Sequence, residues 1–307
     1  MDAMTVFGTL EDGREVRSVV LRSGAVEAEI VTFGARLHRW QIGGGPNITG
    51  KIATLEDYAG RMIYFGAIVA PVINRLRDAR AAFQGQVLQL EPNQGGRHCL
   101  HSGSIGTHAR IWDITAQSDD MVELSVTLAD GEGGFPGNRQ IGVRYELDEG
   151  ALRCIISATT DAPTLMNPAQ HGNFELSGTG VRAGQRLQVN TDRFLPIDKD
   201  VLPTGEIADV GGTPFDLRAP VEPGTHIDHN YCFEPTGAPV LMASLSGAGR
   251  TLEIWSASPG LQVFTGLGNT IALEPQHWPD APNQPGFPSI ELAPGTSFER
   301  WSEYRIR

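Results

Sequence analysis

Glu274 stands in Leu273-Glu274-Pro275-Gln276, directly after the apolar Ile271-Ala272-Leu273. A proline pushes the preceding residue toward extended backbone, so Glu274 is expected to project from a strand end into a rigid loop. Partial burial there lifts a carboxyl toward the pKa of a useful general base. His171 lies far upstream, in Asn167-Pro168-Ala169-Gln170-His171-Gly172-Asn173. An imidazole among small and polar neighbours titrates near neutrality and exchanges protons with a bound molecule. The plainer alternatives are a solvated turn carboxylate and a structural histidine.

Three more segments carry polar chemistry. Arg75, in Ile73-Asn74-Arg75-Leu76, offers a planar fork of donors to vicinal hydroxyls or a carboxylate, unless it is simply a solvated strand end. His98 and His101 flank Cys99-Leu100 and precede Ser102-Gly103, which suggests a loop that approaches a ligand closely. On a strand these imidazoles would point to different faces, and no nearby carboxylate completes a three-ligand set, so zinc is not expected. Asp228, in His226-Ile227-Asp228-His229-Asn230, accepts hydrogen bonds from hydroxyls, whereas His226 and His229 make no case for a metal.

The elements that must hold these groups read as strands. Val122, Leu124, Val126 and Leu128 alternate with polar residues, as do Ile141, Val143, Tyr145 and Leu147, then Leu152, Cys154, Ile156 and Ala158. Period-two alternation places successive side chains on opposite sheet faces, so these predict three neighbouring antiparallel strands. Asp130 to Gly134 and Pro136-Gly137-Asn138 separate the first two, and Asp148-Glu149-Gly150 supplies a short turn for the second pair. Further strands are predicted at 25–33, 186–191, 241–245, 252–255 and 261–264. One short helix is expected at 54–59, with Thr54 as its cap. The reading is an all-β fold, a large antiparallel β-sandwich in one domain over 1–307, rich in turns because the chain holds 37 glycines and 20 prolines.

With 24 Lys+Arg against 36 Asp+Glu, the formal charge is −12, and no basic run tracks a phosphate backbone, so no nucleic-acid partner is expected. Met1-Asp2-Ala3-Met4-Thr5 lacks a basic then apolar leader, and Gly66 and Pro71 interrupt the apolar stretch 62–73, so neither a signal peptide nor a membrane partner is expected. Three cysteines, Cys99, Cys154 and Cys232, form no CxxC pair and suit a reducing cytoplasm.

In this order, the segments resemble the aldose 1-epimerase (galactose mutarotase) family. The resemblance runs through Phe33-Gly34-Ala35-Arg36-Leu37, Asn74-Arg75, Leu100-His101-Ser102-Gly103, Asp130 to Asn138, Asn167 to Leu176, Ile227 to Asn230, and Glu274-Pro275-Gln276 with Pro279-Asp280-Ala281. It implies a supersandwich that holds a small-molecule sugar in an open cleft on one curved sheet. Glu274 matches the family's general base and His171 its acid, while Arg75, His101 and Asp228 match positions that hold sugar hydroxyls or assist charge balance. Asn74 and Gln276 lie beside these motifs. Ring opening of a cyclic hemiacetal needs only proton transfers, so neither metal nor redox cofactor is expected. The resting pair should be an ionised Glu274 and a protonated His171, set on opposite sides of C1–O5. Trp278 and Phe287 are the candidate stacking aromatics, with a core role an equal expectation for Phe287. The protein is expected as a monomer or homodimer.

Departures from the family pattern are Ser102, where many relatives carry glycine, Gly172-Asn173, where many carry an aromatic, and Pro71-Val72-Ile73 ahead of Asn74. Rival readings are a polysaccharide lyase or a glycoside hydrolase, the latter using Asp228 and Glu274, a sugar-binding module without catalysis, and an enzyme acting on a lactone or another cyclic sugar derivative.

Overall fold

The computed structural model describes residues 4–50, 53–224, 226–267 and 269–307. Residues 1–3 of the N-terminal stretch discussed above therefore lie outside the described residues. The alternating rows form the middle of an eight-stranded antiparallel sheet. Its order is Asp113–Gln117, Met121–Leu128, Arg139–Asp148, Ala151–Thr160, Phe298–Ile306, Arg250–Ser256, Val240–Gly247 and Arg186–Val189. Val122 faces Tyr145, and Tyr145 faces Cys154, so the three apolar rows share one face. Asp148 pairs with Ala151 across Glu149 (φ 40°) and Gly150 (φ 95°). Two central residues with positive φ give the turn whose twist matches the flanking strands.

A six-stranded sheet runs Asn173–Phe174, Ile271–Gln276, Gly260–Phe264, Asp228–Cys232, Arg193–Phe194 and Ala208–Asp209. A four-stranded sheet contains Met4–Thr9, Glu15–Ser23, Val26–Val31 and Arg36–Ile42. One continuous apolar cluster draws on all three sheets, with Leu21 and Ala28, Leu124, Val143 and Ile254, and Phe174, Tyr231, Val263 and Leu273. The eight-stranded sheet thus buries its apolar face against the other two, each buried Leu, Ile, Val or Phe contributing about 1.5–3 kcal/mol. Tyr145 donates its hydroxyl to the Ala35 carbonyl at 2.9 Å and accepts from Gln170 at 3.2 Å. That polar tie crosses the core.

The helix Leu55–Ala59 has Thr54 at its cap, where the hydroxyl accepts from the Asp57 N–H and the Asp57 carboxylate accepts from the Thr54 N–H. Among the described residues, no helix is long and apolar enough to cross a membrane.

Candidate active site

The strand register brings the polar residues together. Glu274 pairs with Gln262, and Gln262 with Asn230, while Asp228 pairs with Phe264 and Phe264 with Ala272. Alternation puts this set on one face and Leu261, Val263, Leu273 and Tyr231 on the other, in the core. Asn173 joins the same face beside Ala272. Loops close the other side: Arg75 bridges to Leu100, the Asn74 N–H donates to His101 Nδ1 at 3.1 Å, and the His101 N–H donates to the Asn74 carbonyl. Asn74 (φ 67°) and His101 (φ 52°) both adopt left-handed backbone to make this exchange.

Together they enclose a cavity of about 200 Å³ lined by Tyr64, Asn74, Arg75, Leu100, His101, His171, Asp228, Gln262, Phe264 and Glu274. A cavity of roughly 150 Å³ suffices for benzene, so this one accommodates a single six-membered ring. Arg75 Nη1 lies 3.3 Å from Asp228 Oδ2, Gln262 donates to Asp228 Oδ1 at 2.6 Å, and Arg75 Nε donates to Gln94 at 3.1 Å. His171 Nε2 stands 3.6 Å from Glu274 Oε1. No ring fits between groups that close; both side chains instead meet one edge of the cavity, which suits two oxygens on one acetal carbon rather than opposite sides of a pyranose.

Burial pushes Glu274 up to about 7, opposed by the His171 and Arg75 charges and assisted by Asp228. Near neutrality both of its protonation states are populated, whereas the sequence suggested a fully ionised carboxylate. Burial, with His171, His108 and Arg75 nearby, holds His101 well below the usual imidazole range. Because a backbone N–H occupies its Nδ1, neutral His101 carries its proton on Nε2. Glu274 Oε2 and Gln262 Oε1, on residues that line the cavity, are buried acceptors without a partner. Such groups cost free energy unless a ligand donor completes them.

Of the sequence-derived site residues, Glu274, His171, Arg75, His101, Asp228 and Asn74 line this cavity, and Gln276 does not. Gln276 shares the face of Glu274 but lies one row away, opposite Gly260, with both amide atoms buried and unpartnered. Trp278 and Phe287 are also elsewhere. Trp278 donates its indole N–H to the Pro259 carbonyl at 2.7 Å, packs edge-on against Phe287 and forms a separate cluster with Leu195 and Cys232. The cavity's rings are Tyr64 and Phe264. Period two along Gly260–Phe264 already assigns Gln262 and Phe264 to the polar face; Tyr64, in a turn, had no such signal. For the hydrolase pairing, Asp228 is engaged by Arg75 and Gln262, and the group beside Glu274 is an imidazole.

His98 accepts from the Asp78 N–H, His229 packs 3.9 Å from the Phe215 ring, and His226 is exposed. Among the described residues, no three potential metal ligands gather. The departures also find places. The Ser102 hydroxyl donates to the Val72 carbonyl and accepts from the Val72 N–H, at 2.8 and 2.9 Å, fixing the segment that leads to Asn74. Asn173 meets His171 at 3.1 Å.

The aldose 1-epimerase family model matches residues 17–305. A galactose mutarotase from Sus scrofa is 33% identical, with 96% of this chain and 95% of that protein covered. An aldose 1-epimerase from Escherichia coli (strain K12) is 29% identical, with 96% of each covered. Among solved structures, a galactose 1-epimerase from Lactobacillus acidophilus NCFM superposes with a TM-score of 0.86 at 24% identity, covering 99% of this chain and 98% of that one. An aldose epimerase homologue from C. elegans gives 0.87 at 23% identity, covering 94% and 98%. These two structural likenesses speak for the fold. With a family model spanning nearly the whole length and a relative one-third identical, the chain belongs to the aldose 1-epimerase family.

Proposed function

We propose that this chain is an aldose 1-epimerase, a cofactor-independent isomerase that interconverts the α and β anomers of a free aldose. The observation that carries this reading is the His171–Glu274 pair, 3.6 Å apart at the edge of a ring-sized polar cavity. The Glu274 carboxylate takes the proton of the C1 hydroxyl while the His171 imidazolium gives the Nε2 proton to the ring oxygen. The C1–O5 bond breaks, C1 becomes a carbonyl carbon, and no high-energy ion forms. Rotation about C1–C2 presents the other face of the aldehyde. The 5-hydroxyl then adds, returning its proton to His171 as the new C1 oxygen recovers one from Glu274.

Each positioned proton transfer contributes about 10²–10⁴-fold. A carboxyl near 7 suits that exchange, because base strength and availability are balanced at working pH. Arg75, Asp228, His101, Asn74 and Gln262 hold the hydroxyls: His101 Nε2 and the arginine donate, whereas Asp228 and the Gln262 carbonyl oxygen accept. The cavity's size favours a monosaccharide ring.

We further assign the protein to the cytoplasm as one domain, a monomer or homodimer; its three cysteines are free and buried, which suits a reducing compartment. The deciding experiment follows optical rotation or anomeric proton NMR for a panel of freshly dissolved aldoses. Anomer exchange above the buffer rate is expected for at least one. Binding without acceleration would favour a sugar-binding module, and release of reducing ends from oligosaccharides would favour a hydrolase.

A further inference from the structure

His171 and His101 stand 5.5 Å apart between ring centroids, yet their partners are of opposite kinds. His101 Nδ1 faces a backbone N–H, which can only donate. His171 Nδ1 faces Asn173 Oδ1 at 3.1 Å, an acceptor, while the Asn173 amide nitrogen donates to the Thr270 hydroxyl oxygen at 3.3 Å. We infer that Asn173 is a positioning residue that keeps the His171 proton on Nδ1, so that Nε2 is the atom that exchanges a proton with substrate. This rests on the acid role proposed for His171.

The backbone makes the arrangement rigid. The His171 N–H donates to the Ala67 carbonyl and its carbonyl accepts from the Gly66 N–H. Asn173 is paired with Ala272 in the sheet that carries Glu274. An imidazolium has two N–H donors and needs an acceptor on each side. Asn173 Oδ1 serves Nδ1, and Glu274 Oε1 lies on the Nε2 side. The reversed amide would set an NH₂ against Nδ1–H and disfavour the charged ring. When the Nε2 proton leaves, the bond to Asn173 retains the other, and the vacant Nε2 remains aimed at the cavity edge. The charged or titratable groups around the ring are Glu274, His101, Tyr64 and His108, with Arg75 beside His101 and Glu274 in turn. Asn173 is uncharged, so it selects the tautomer without cancelling the charge that the Glu274 interaction uses.

The test uses the full chain with ¹⁵N-labelled histidine. Long-range ¹H–¹⁵N spectra above the ring's titration should report the Nδ1–H tautomer for His171 and the Nε2–H tautomer for His101. Asn173→Ala should mix the His171 tautomers, lower kcat about 10-fold with KM little changed, and move the basic limb of the pH profile to lower pH, since a wrong tautomer disables a catalytic imidazole. Asn173→Asp, which retains an acceptor and adds charge, should restore the Nδ1–H form and move that limb up by about one unit. An Nε2–H tautomer in the parent protein would overturn the assignment, as would an unmoved limb in both variants. Should Asn173→Ala fail to fold, the parent spectrum and Asn173→Asp decide. Should the parent protein leave every anomer at the buffer rate, the proposed reaction fails, but the tautomer spectrum still judges this inference.

Discussion

The outer face of the eight-stranded sheet and the cavity face of the six-stranded sheet are built on the same alternation and end in opposite electrostatic states. On the first, carboxylates sit among arginines within and across strands: Arg144 lies 2.6 Å from Glu146 on its own strand, Arg153 lies 2.5 Å from Glu303 on the neighbouring strand, and Arg305 also pairs with Glu303. The arginines reach water, and the buried Glu303 carboxylate is held between two of them, whereas the more exposed Arg144–Glu146 pair contributes little, about 0–1 kcal/mol. On the second, Glu274 is fully buried beside an imidazole, and Glu274 Oε2 and Gln262 Oε1, both on residues of the cavity lining, have no partner. A polar face that is complete needs no ligand. One that is desolvated and incomplete sacrifices stability for recognition, because an incoming hydroxyl supplies the missing donor.

The largest effect should come from Glu274→Gln, which keeps the shape and removes the base. Turnover measured by optical rotation should fall about 10²–10⁴-fold, and His171→Asn should do the same from the acid side. The same Glu274→Gln variant should be more stable than the parent above pH 7. Its sign follows from the raised carboxyl: the folded state holds the proton more tightly than the unfolded one. That advantage is full below the ordinary value of 4.5 and is lost as pH rises to about 7. The difference between variant and parent should therefore grow across that window to roughly 3 kcal/mol and then level off, as read by urea unfolding. A variant less stable than the parent at pH 8 would break the contrast between the two faces.

Leu124→Ala tests the opposite region. Leu124 is fully buried in the main core, remote from the cavity lining. Its truncation should cost about 2–5 kcal/mol in unfolding while leaving KM in place. Gln262→Ala removes the donor held 2.6 Å from Asp228 and an acceptor facing the cavity. KM should rise about 10-fold with stability nearly unchanged, since an unsatisfied group leaves with it. Trp278→Phe sharpens the comparison at the small end. It loses the bond to Pro259 and about 1 kcal/mol, and KM should not move, because the indole packs on Phe287 away from the cavity.

Much of this site is legible before folding. The carboxylate before a proline, the histidine in a polar loop, the Asn74-Arg75 pair and Asp228 stand out by residue type alone, and the cavity receives all of them. Gln262 and Phe264 needed only the alternation of Gly260–Phe264 carried one step further. Gln276 and Trp278 fall outside the cavity lining because proximity in sequence is not proximity in space, and Phe287 takes the core role that was its other expectation, packed against apolar clusters. The strand ends at Gln276, and beyond it the chain turns toward Pro259 and Cys232 rather than the cavity. Tyr64 sits in a turn whose position is set by distant contacts, including Arg36 donating to the Phe65, Ile63 and His108 carbonyls. No local pattern encodes that.

The amino-acid order alone determined the all-β character, the turn-rich economy of the chain and the residue types available for proton transfer, because period-two burial and side-chain chemistry are local properties. Tertiary structure decided three things: that Glu274 and His171 meet at one edge, that burial lifts the carboxyl to about 7, and that His101 and His171 face partners of opposite kind. Each of these depends on register between strands and loops far apart in the chain, where a shift of one residue would turn the same side chains into the core.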